Sequence, residues 1–355
     1  MQLTEILTHA VNQQASDILI IAGMPITYKR NGKLVRDPGE RVLPNDTQHL
    51  LEEIYALANH RSIQKLSAEG DDDFSFSVPG LARFRVNALR QRGSLGAVIR
   101  VVTFELPDHE RMHIPNKVLS LVDLPKGLLL ITGAAGSGKT TTLACLVNHV
   151  NTTRSAHIIT IEDPIEYLHQ HKMSVVIQRE LSTDTLSYDI ALRAALREAP
   201  DIILLGEMRD AETIRAAVTA AETGHLVIST LHTIGAANSI DRIIDAFPPE
   251  QQQQIRVQLS QVLEGVVSQT LLSTLDGSIT PAFEIMTVNT AIRTMIRESK
   301  SHQLDNVIAS SSDVGMISMD QSLLALVRAG RVSPDEALVH SVNSDWLTKR
   351  LGGAQ

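Results

Sequence analysis

The residues with the plainest chemical meaning lie between Gly133 and Thr140, where the chain reads GAAGSGKT. Gly133, Ala134, Ala135, Gly136, Ser137 and Gly138 are all small, so consecutive backbone N–H groups can curl around an anion. Lys139 follows, with a charge able to reach β- and γ-phosphates; the Thr140 hydroxyl is of the kind that ligates Mg²⁺, and Thr141 stands beside it. An apolar run, Leu128 to Thr132, precedes the pattern, and Leu143, Leu146, Val147 and Val150 follow at helical spacing. Strand, glycine-rich turn and helix N-terminus together form an anion site, and the ligand they predict is ATP.

Three groups downstream could act on such a ligand. Glu162, Asp163 and Glu166 cluster after the strand-like stretch His157 to Ile161. Open α/β sheets bind ligands beyond the carboxyl ends of their strands, where these acids could hold Mg²⁺ through water or take a proton from an attacking water. Ile202 to Leu205 runs into Gly206 and Glu207, the shape of a Walker B strand with Glu where Asp is usual. That substitution predicts a water-mediated metal contact. His225 and His232 bracket the apolar run from Leu226, and His232 leaves its carboxyl end, where a neutral imidazole could hydrogen-bond a γ-phosphate. The two histidines do not form a metal pair, because seven strand residues at about 3.3 Å each set them more than about 20 Å apart. A fourth group, Arg83, Arg85, Arg90, Arg92 and Arg100, lies far upstream. It reads either as guanidinium groups reaching a neighbour's phosphates in trans or as a solvated strand face, and composition does not choose.

The elements that must position these residues fall into two textures. Leu3, Ile6, Leu7, Ala10 and Val11 mark a helix; ILIIAG, the segments flanking Asn31-Gly32, FSFSV and the stretches 82–90 and 96–102 read as strands, with helices over 48–58 and 63–66. This is an α+β domain, residues 1–106. PDHERMHIP is charged and proline-bounded and reads as a linker, 107–117. From 118 to 286, apolar strand runs alternate with helical stretches, the mark of a mostly parallel sheet covered on both faces. Residues 287–355 carry helical periodicity alone.

The composition bounds the rest. At 355 residues and 43% hydrophobic content the chain has room for two folded domains. No apolar run approaches the roughly 20 residues of a membrane span, and the first residues lack a signal's basic start and apolar core, so the expectation is a cytoplasmic protein. The single Cys145 excludes an internal disulfide or a multi-cysteine zinc site and reads as a small core residue. A net charge of −8 without a Lys/Arg cluster argues against nucleic acid as the main partner.

GAAGSGKT, TIEDPIEY, IILLGEMRD and GHLVISTLHT resemble the Walker A, Asp box, Walker B and His box of the type II secretion and type IV pilus ATPase superfamily. ASDILIIAGMP, VPGLARFRVNA, LRAALREAPD, VGMISMDQSL and above all AIRTMIRE extend the resemblance over almost the whole chain, toward the pilus-retraction branch. The resemblance implies an α/β chain with a PAS-like N-terminal domain, a RecA-like ATPase domain and a helical C-terminal extension. It implies a homohexamer with ATP and Mg²⁺, working with the pilus machinery and an inner-membrane platform protein at the cytoplasmic face of the membrane. In the matched boxes, Glu166 polarises the lytic water, Glu207 supports Mg²⁺ and water, His225 and His232 take the His-box roles, and Arg83, Arg85 and Arg100 reach nucleotide. Ala134-Ala135 departs from the family's usual Pro-Thr, Thr140 from Ser, and Thr294-Met295 from Asn-Leu. The alternatives are an accessory retraction paralogue, another transport motor, a RecA-like nucleic-acid translocase, or a nucleotide-gated binding protein with no useful turnover.

Overall fold

The computed structural model describes residues 2–30, 32–102 and 104–352. They divide into two compact units, residues 1–105 with 166–168, and residues 106–165 with 169–355.

The first unit is α+β. Helix α1 (Leu3–Asn12) leads into strands β1 (Asp17–Ile20), β2 (Thr27–Arg30) and β3 (Lys33–Arg36). Helices α2 (Pro44–Leu57) and α3 (Gln64–Glu69) then precede the long strands β4 (Asp71–Val78), β5 (Ala82–Gln91) and β6 (Ser94–Val102). The sheet runs β3-β2-β1-β6-β5-β4, antiparallel at every pairing. β2 and β3 pair to their ends, Arg30 opposite Lys33; the hairpin residue Asn31 lies outside the described residues. Strand alternation divides β5 cleanly. Phe84, Val86 and Ala88 are buried with the α1 and α2 residues Leu7, Leu51 and Ile54, while Arg83, Arg85 and Asn87 fall on the other face.

The second unit is a doubly covered α/β sheet. After α4 (Asn116–Ser120) come β7 (Gly127–Thr132), α5 (Lys139–Thr153), β8 (His157–Glu162), β9 (Val175–Glu180), α6 (Tyr188–Ala195) and β10 (Ile202–Leu205). There follow α7 (Ala211–Glu222), β11 (Leu226–Leu231), α8 (Ala236–Asp245), α9 (Pro249–Val262), β12 (Leu263–Ser273), β13 (Ile279–Thr287) and α10 (Thr290–Arg297). The sheet order is β13-β12-β7-β11-β10-β8-β9, parallel throughout except that β13 returns antiparallel to β12. Alternate residues feed two cores. Leu128, Leu130, Ile159, Ile161, Ile203 and Leu205 pack against α6 to α10, whereas Leu129, Ile131, Ile158, Ile202 and Leu204 pack against α5. Burial on both faces is why these strands read as unbroken apolar runs.

Two boundaries differ from the sequence expectation. Residues 107–117 are folded into the second unit: Ile114 is buried, Asp108 accepts N–H bonds from Glu110 and Arg111 at 3.0 Å each, and the Pro107 carbonyl lies 3.3 Å from Cys145 Sγ. Charge and prolines suggested a linker because the few apolar residues that anchor it are scattered. The helical stretch from 287 is also continuous with this unit. Ile292, Ile296, Leu304, Ile308 and Met316 belong to the same buried cluster as Leu128. Three last helices, Met319–Arg328, Pro334–Val339 and Ser344–Gly352, pack on Leu272 and Ala282 of the β12–β13 pair. Cys145 is a core residue whose thiol is pushed up to about 12, first by burial. No helix among the described residues is long and apolar enough to cross a membrane.

Candidate nucleotide site

The phosphate loop joins the buried strand β7 to α5, and its glycines are needed for two separate reasons. Gly133, Gly136 and Gly138 have φ values of 144°, 77° and 84°, a region that side chains disfavour. A Cβ on Gly133 would also stand 2.2 Å from the Gln269 carbonyl oxygen and 2.6 Å from Ser137 Oγ, and one on Gly138 2.8 Å from Gln269 Nε2. Gln269 thus holds the loop from β12. Its Oε1 accepts a 2.7 Å hydrogen bond from Thr142 in the first turn of α5. Nothing in the residues around Gln269 marks it, because only the pairing of β12 with β7, Ser268 opposite Thr132, brings it beside the loop.

Lys139 is buried and folds back over the loop, its Nζ donating to the carbonyls of Gly133 and Ala134 at 2.8 Å each. Burial holds its pKa below the ordinary lysine value, and the charge of Glu207 offsets part of that. Ser137 Oγ is buried with no partner among the described residues. Thr140 and Thr141 lie half-buried in the first turn of α5, while Ala134, Ala135 and Gly136 form the exposed rim. Left-handed glycines, a helix N-terminus, a desolvated ammonium and an unpaired hydroxyl suit a polyphosphate.

The parallel register places the other residues. Thr132 pairs with Leu231, Leu205 with Ser229 and with Ile161, so Glu162, Glu207 and His232 emerge at the same carboxyl edge as the loop. Glu207 is buried; one carboxylate oxygen is ion-paired with Arg209 and the other lies 3.3 Å from His232 Nε2. Thr230 fixes the turn before it by donating to the Gly206 carbonyl at 2.5 Å. Glu162 accepts from Thr160 at 2.6 Å and from Gln178 at 3.1 Å. Glu166 groups with the first unit, outside the unit that carries the loop. Among the described residues no group of three His, Cys, Asp or Glu could by itself hold a metal ion.

His225 is not brought to this edge. It precedes β11 at the amino end, where Leu226 pairs with Gly127, and its Nδ1 lies 3.0 Å from the Ala220 carbonyl near the end of α7. Strand polarity separates it from His232 by about 20 Å. Within one chain His232 joins Glu207, and His225 closes a helix end.

The arginines lie on the first unit. Arg85 pairs across the strands with Arg100, which pairs with Asp17 and donates to its carboxylate at 3.2 Å. With Asp73 and Asn87 they line a depression of about 230 Å³. Arg83, one pleat along, donates to Ser77 at 3.4 Å. Two guanidinium groups directly opposite one another repel, and the Asp17 carboxylate bonded to Arg100 offsets part of that.

Loop, desolvated lysine and an acid-ended strand two places along the sheet define a P-loop nucleotide-binding ATPase fold. The family model for the type II/IV secretion system protein matches residues 1–321, and the chain belongs to that family. Over 337 residues it is 45% identical to the type IV pilus retractation ATPase PilT of Pseudomonas aeruginosa, covering 95% of this chain and 97% of that one. It is 36% identical over 355 residues to the type IV pilus ATPase PilU of the same organism, covering 99% and 92%. The crystal structure of the pilus retraction motor PilT with bound ADP superposes with a TM-score of 0.89 at 44% identity, covering 98% of this chain and 99% of that one.

Proposed function

We propose that this chain is a motor ATPase that hydrolyses ATP to ADP and phosphate and, as a homohexamer at the cytoplasmic face of the inner membrane, drives retraction of type IV pili against a platform protein of the pilus machinery. The observation that carries the reading is the full-length likeness to a pilus retraction motor, 45% identical over 95% of this chain, together with a phosphate loop facing Glu207 and His232. Identity to the type IV pilus retractation ATPase, 45%, exceeds that to the type IV pilus ATPase PilU, 36%, which favours the retraction-motor reading.

In this chemistry the loop amides and Lys139 bind the triphosphate. Lys139 exchanges its two carbonyl partners for phosphate oxygens, which offset the desolvation that depresses its pKa. Glu207, held by Arg209 and His232, keeps a fixed carboxylate near the reacting phosphate, and His232 couples it to the γ-phosphate by hydrogen bonding. Glu166 polarises the lytic water, and Arg83, Arg85 and Arg100 offset phosphate charge. One hydroxyl, Thr140, and one carboxylate, Glu207, fit Mg²⁺, which keeps most of its waters and, when bound, neutralises charge on the β- and γ-phosphates.

Lys139→Ala and Glu207→Ala should each lower ATP turnover at least about 100-fold, read as phosphate release from the purified protein. Deleting the gene should leave surface pili in excess and abolish twitching. Retained turnover in either variant would overturn the site, and a strain without pili would overturn retraction in favour of assembly.

A further inference from the structure

Helix α6 opens at Tyr188, with Ser187 as its cap: the Ser187 hydroxyl accepts the Ile190 N–H at 3.2 Å. The Tyr188 ring packs against the apolar core beneath the sheet. Its hydroxyl reaches the sheet's carboxyl edge, over Gly206, the residue between β10 and Glu207. A Cβ on Gly206 would stand 2.8 Å from that hydroxyl, 3.4 Å from the Ile161 carbonyl oxygen and 3.5 Å from the Glu162 Cα. The hydroxyl therefore occupies the gap where β8 and β10 end, the gap from which the acids emerge.

The surroundings are acidic. Burial, then the charges of Glu207 and Asp163, and of Glu162 more weakly, raise the phenol's pKa, with Arg209 acting in the opposite direction. A phenol so placed stays protonated at neutral pH, so it serves as a hydrogen-bond donor rather than as a base. The hydroxyl stands at this acid-lined edge over Gly206, close to Ile161 and Glu162, where β8 ends.

We infer that Tyr188 is a positioning residue for hydrolysis: its hydroxyl donates to a water molecule that Asp163 and Glu207 accept from, and so fixes that water's orientation beside the phosphate loop. The inference rests on the assignment of Glu207 above. It also gives Gly206 a role, because any side chain there would displace the phenol.

The test is steady-state hydrolysis of magnesium–ATP by full-length Tyr188→Phe, which keeps the ring and removes the hydroxyl. The expected result is a kcat lower by roughly tenfold, the worth of one hydrogen bond to a charged network, with KM and Tm unchanged. Tyr188→Leu should lose as much kcat and also lower Tm, because the ring's packing goes with it. Wild-type kcat in Tyr188→Phe, or a kcat loss in it that comes with the Tm loss of Tyr188→Leu, would overturn the inference. Loss of turnover in Glu207→Ala beside wild-type kcat in Tyr188→Phe would remove Tyr188 and leave Glu207 standing, whereas retained turnover in Glu207→Ala would overturn both.

Discussion

At the scale of single residues, Asp72 shows what burial costs and how it is offset. Its carboxylate, 2% exposed, receives two 2.9 Å bonds from Arg61, one of 3.0 Å from Tyr55, and an ion pair with Lys65. Burial alone would raise its pKa, but the Arg61 and Tyr55 bonds and the Arg61 charge outweigh it and hold the group below the usual carboxylate range. The folded value is therefore lower than the unfolded one. Its stabilisation is complete above about pH 4, the unfolded aspartate value, and is lost as pH falls through the folded value. Asp72→Asn should destabilise the first unit by about 2–3 kcal/mol in urea denaturation at pH 7, and by less in acid. A change below about 0.5 kcal/mol at pH 7, the size of an ordinary surface substitution, would show the cluster to be energetically idle. In the sequence Asp72 is only one of three consecutive aspartates; strand alternation turns it inward while Asp71 and Asp73 stay out. The phosphate loop was legible because its chemistry is local. Gln269 and Tyr188 were not, because each reaches the loop's edge through an element remote in the chain.

At the scale of elements, the same contrast runs through AIRTMIRE. Ile292 and Ile296 are buried at helical spacing, which the sequence shows directly. Arg293 acts through geometry that it does not show. The end of α9 leaves carbonyls without intrahelical donors. The guanidinium donates to those of Ser260, Gln261 and Leu263 at 3.0, 2.9 and 3.1 Å, and to Glu264 at 2.8 Å. Glu264 in turn lies against Gly127, where a Cβ would come within 2.4 Å of its Cγ, at the start of the strand that leads to the phosphate loop. Arg293→Ala should lower Tm by roughly 3–8 °C, from about 1.5–2 kcal/mol of lost charge-assisted bonding in a domain of this size. An unchanged melting curve would mean that water replaces the cap without loss. Strands β12 and β13 escaped the sequence reading for a related reason. In LSQVLEGVVSQTLL the apolar residues Leu259, Val262, Leu263, Val266, Val267, Leu271 and Leu272 keep helical spacing straight through the point where α9 gives way to β12, so the period hides the strand.

At the scale of the whole molecule, the loop and the arginine face lie on separate folded units. The composition shift near residue 107 made two units legible, but the three residues 166–168, which join the first unit from within the second, carry no signal of their own. Arg85 stands opposite Arg100, with Asp17 and Asp73 lining the same depression. If each arginine face serves the nucleotide of a neighbouring subunit in the proposed ring, the two halves of one active site come from different chains. Glu207→Ala and Arg85→Ala subunits, each inactive alone, should then regain turnover when dissociated and reassembled together, because some sites pair an intact Glu207 with a neighbour's intact Arg85. Were the arginines to act within their own subunit, every site in the mixed ring would still lack one group. Phosphate release from mixtures at several ratios separates the cases: activity that peaks near equal proportions requires the shared site, and a flat, inactive series excludes it.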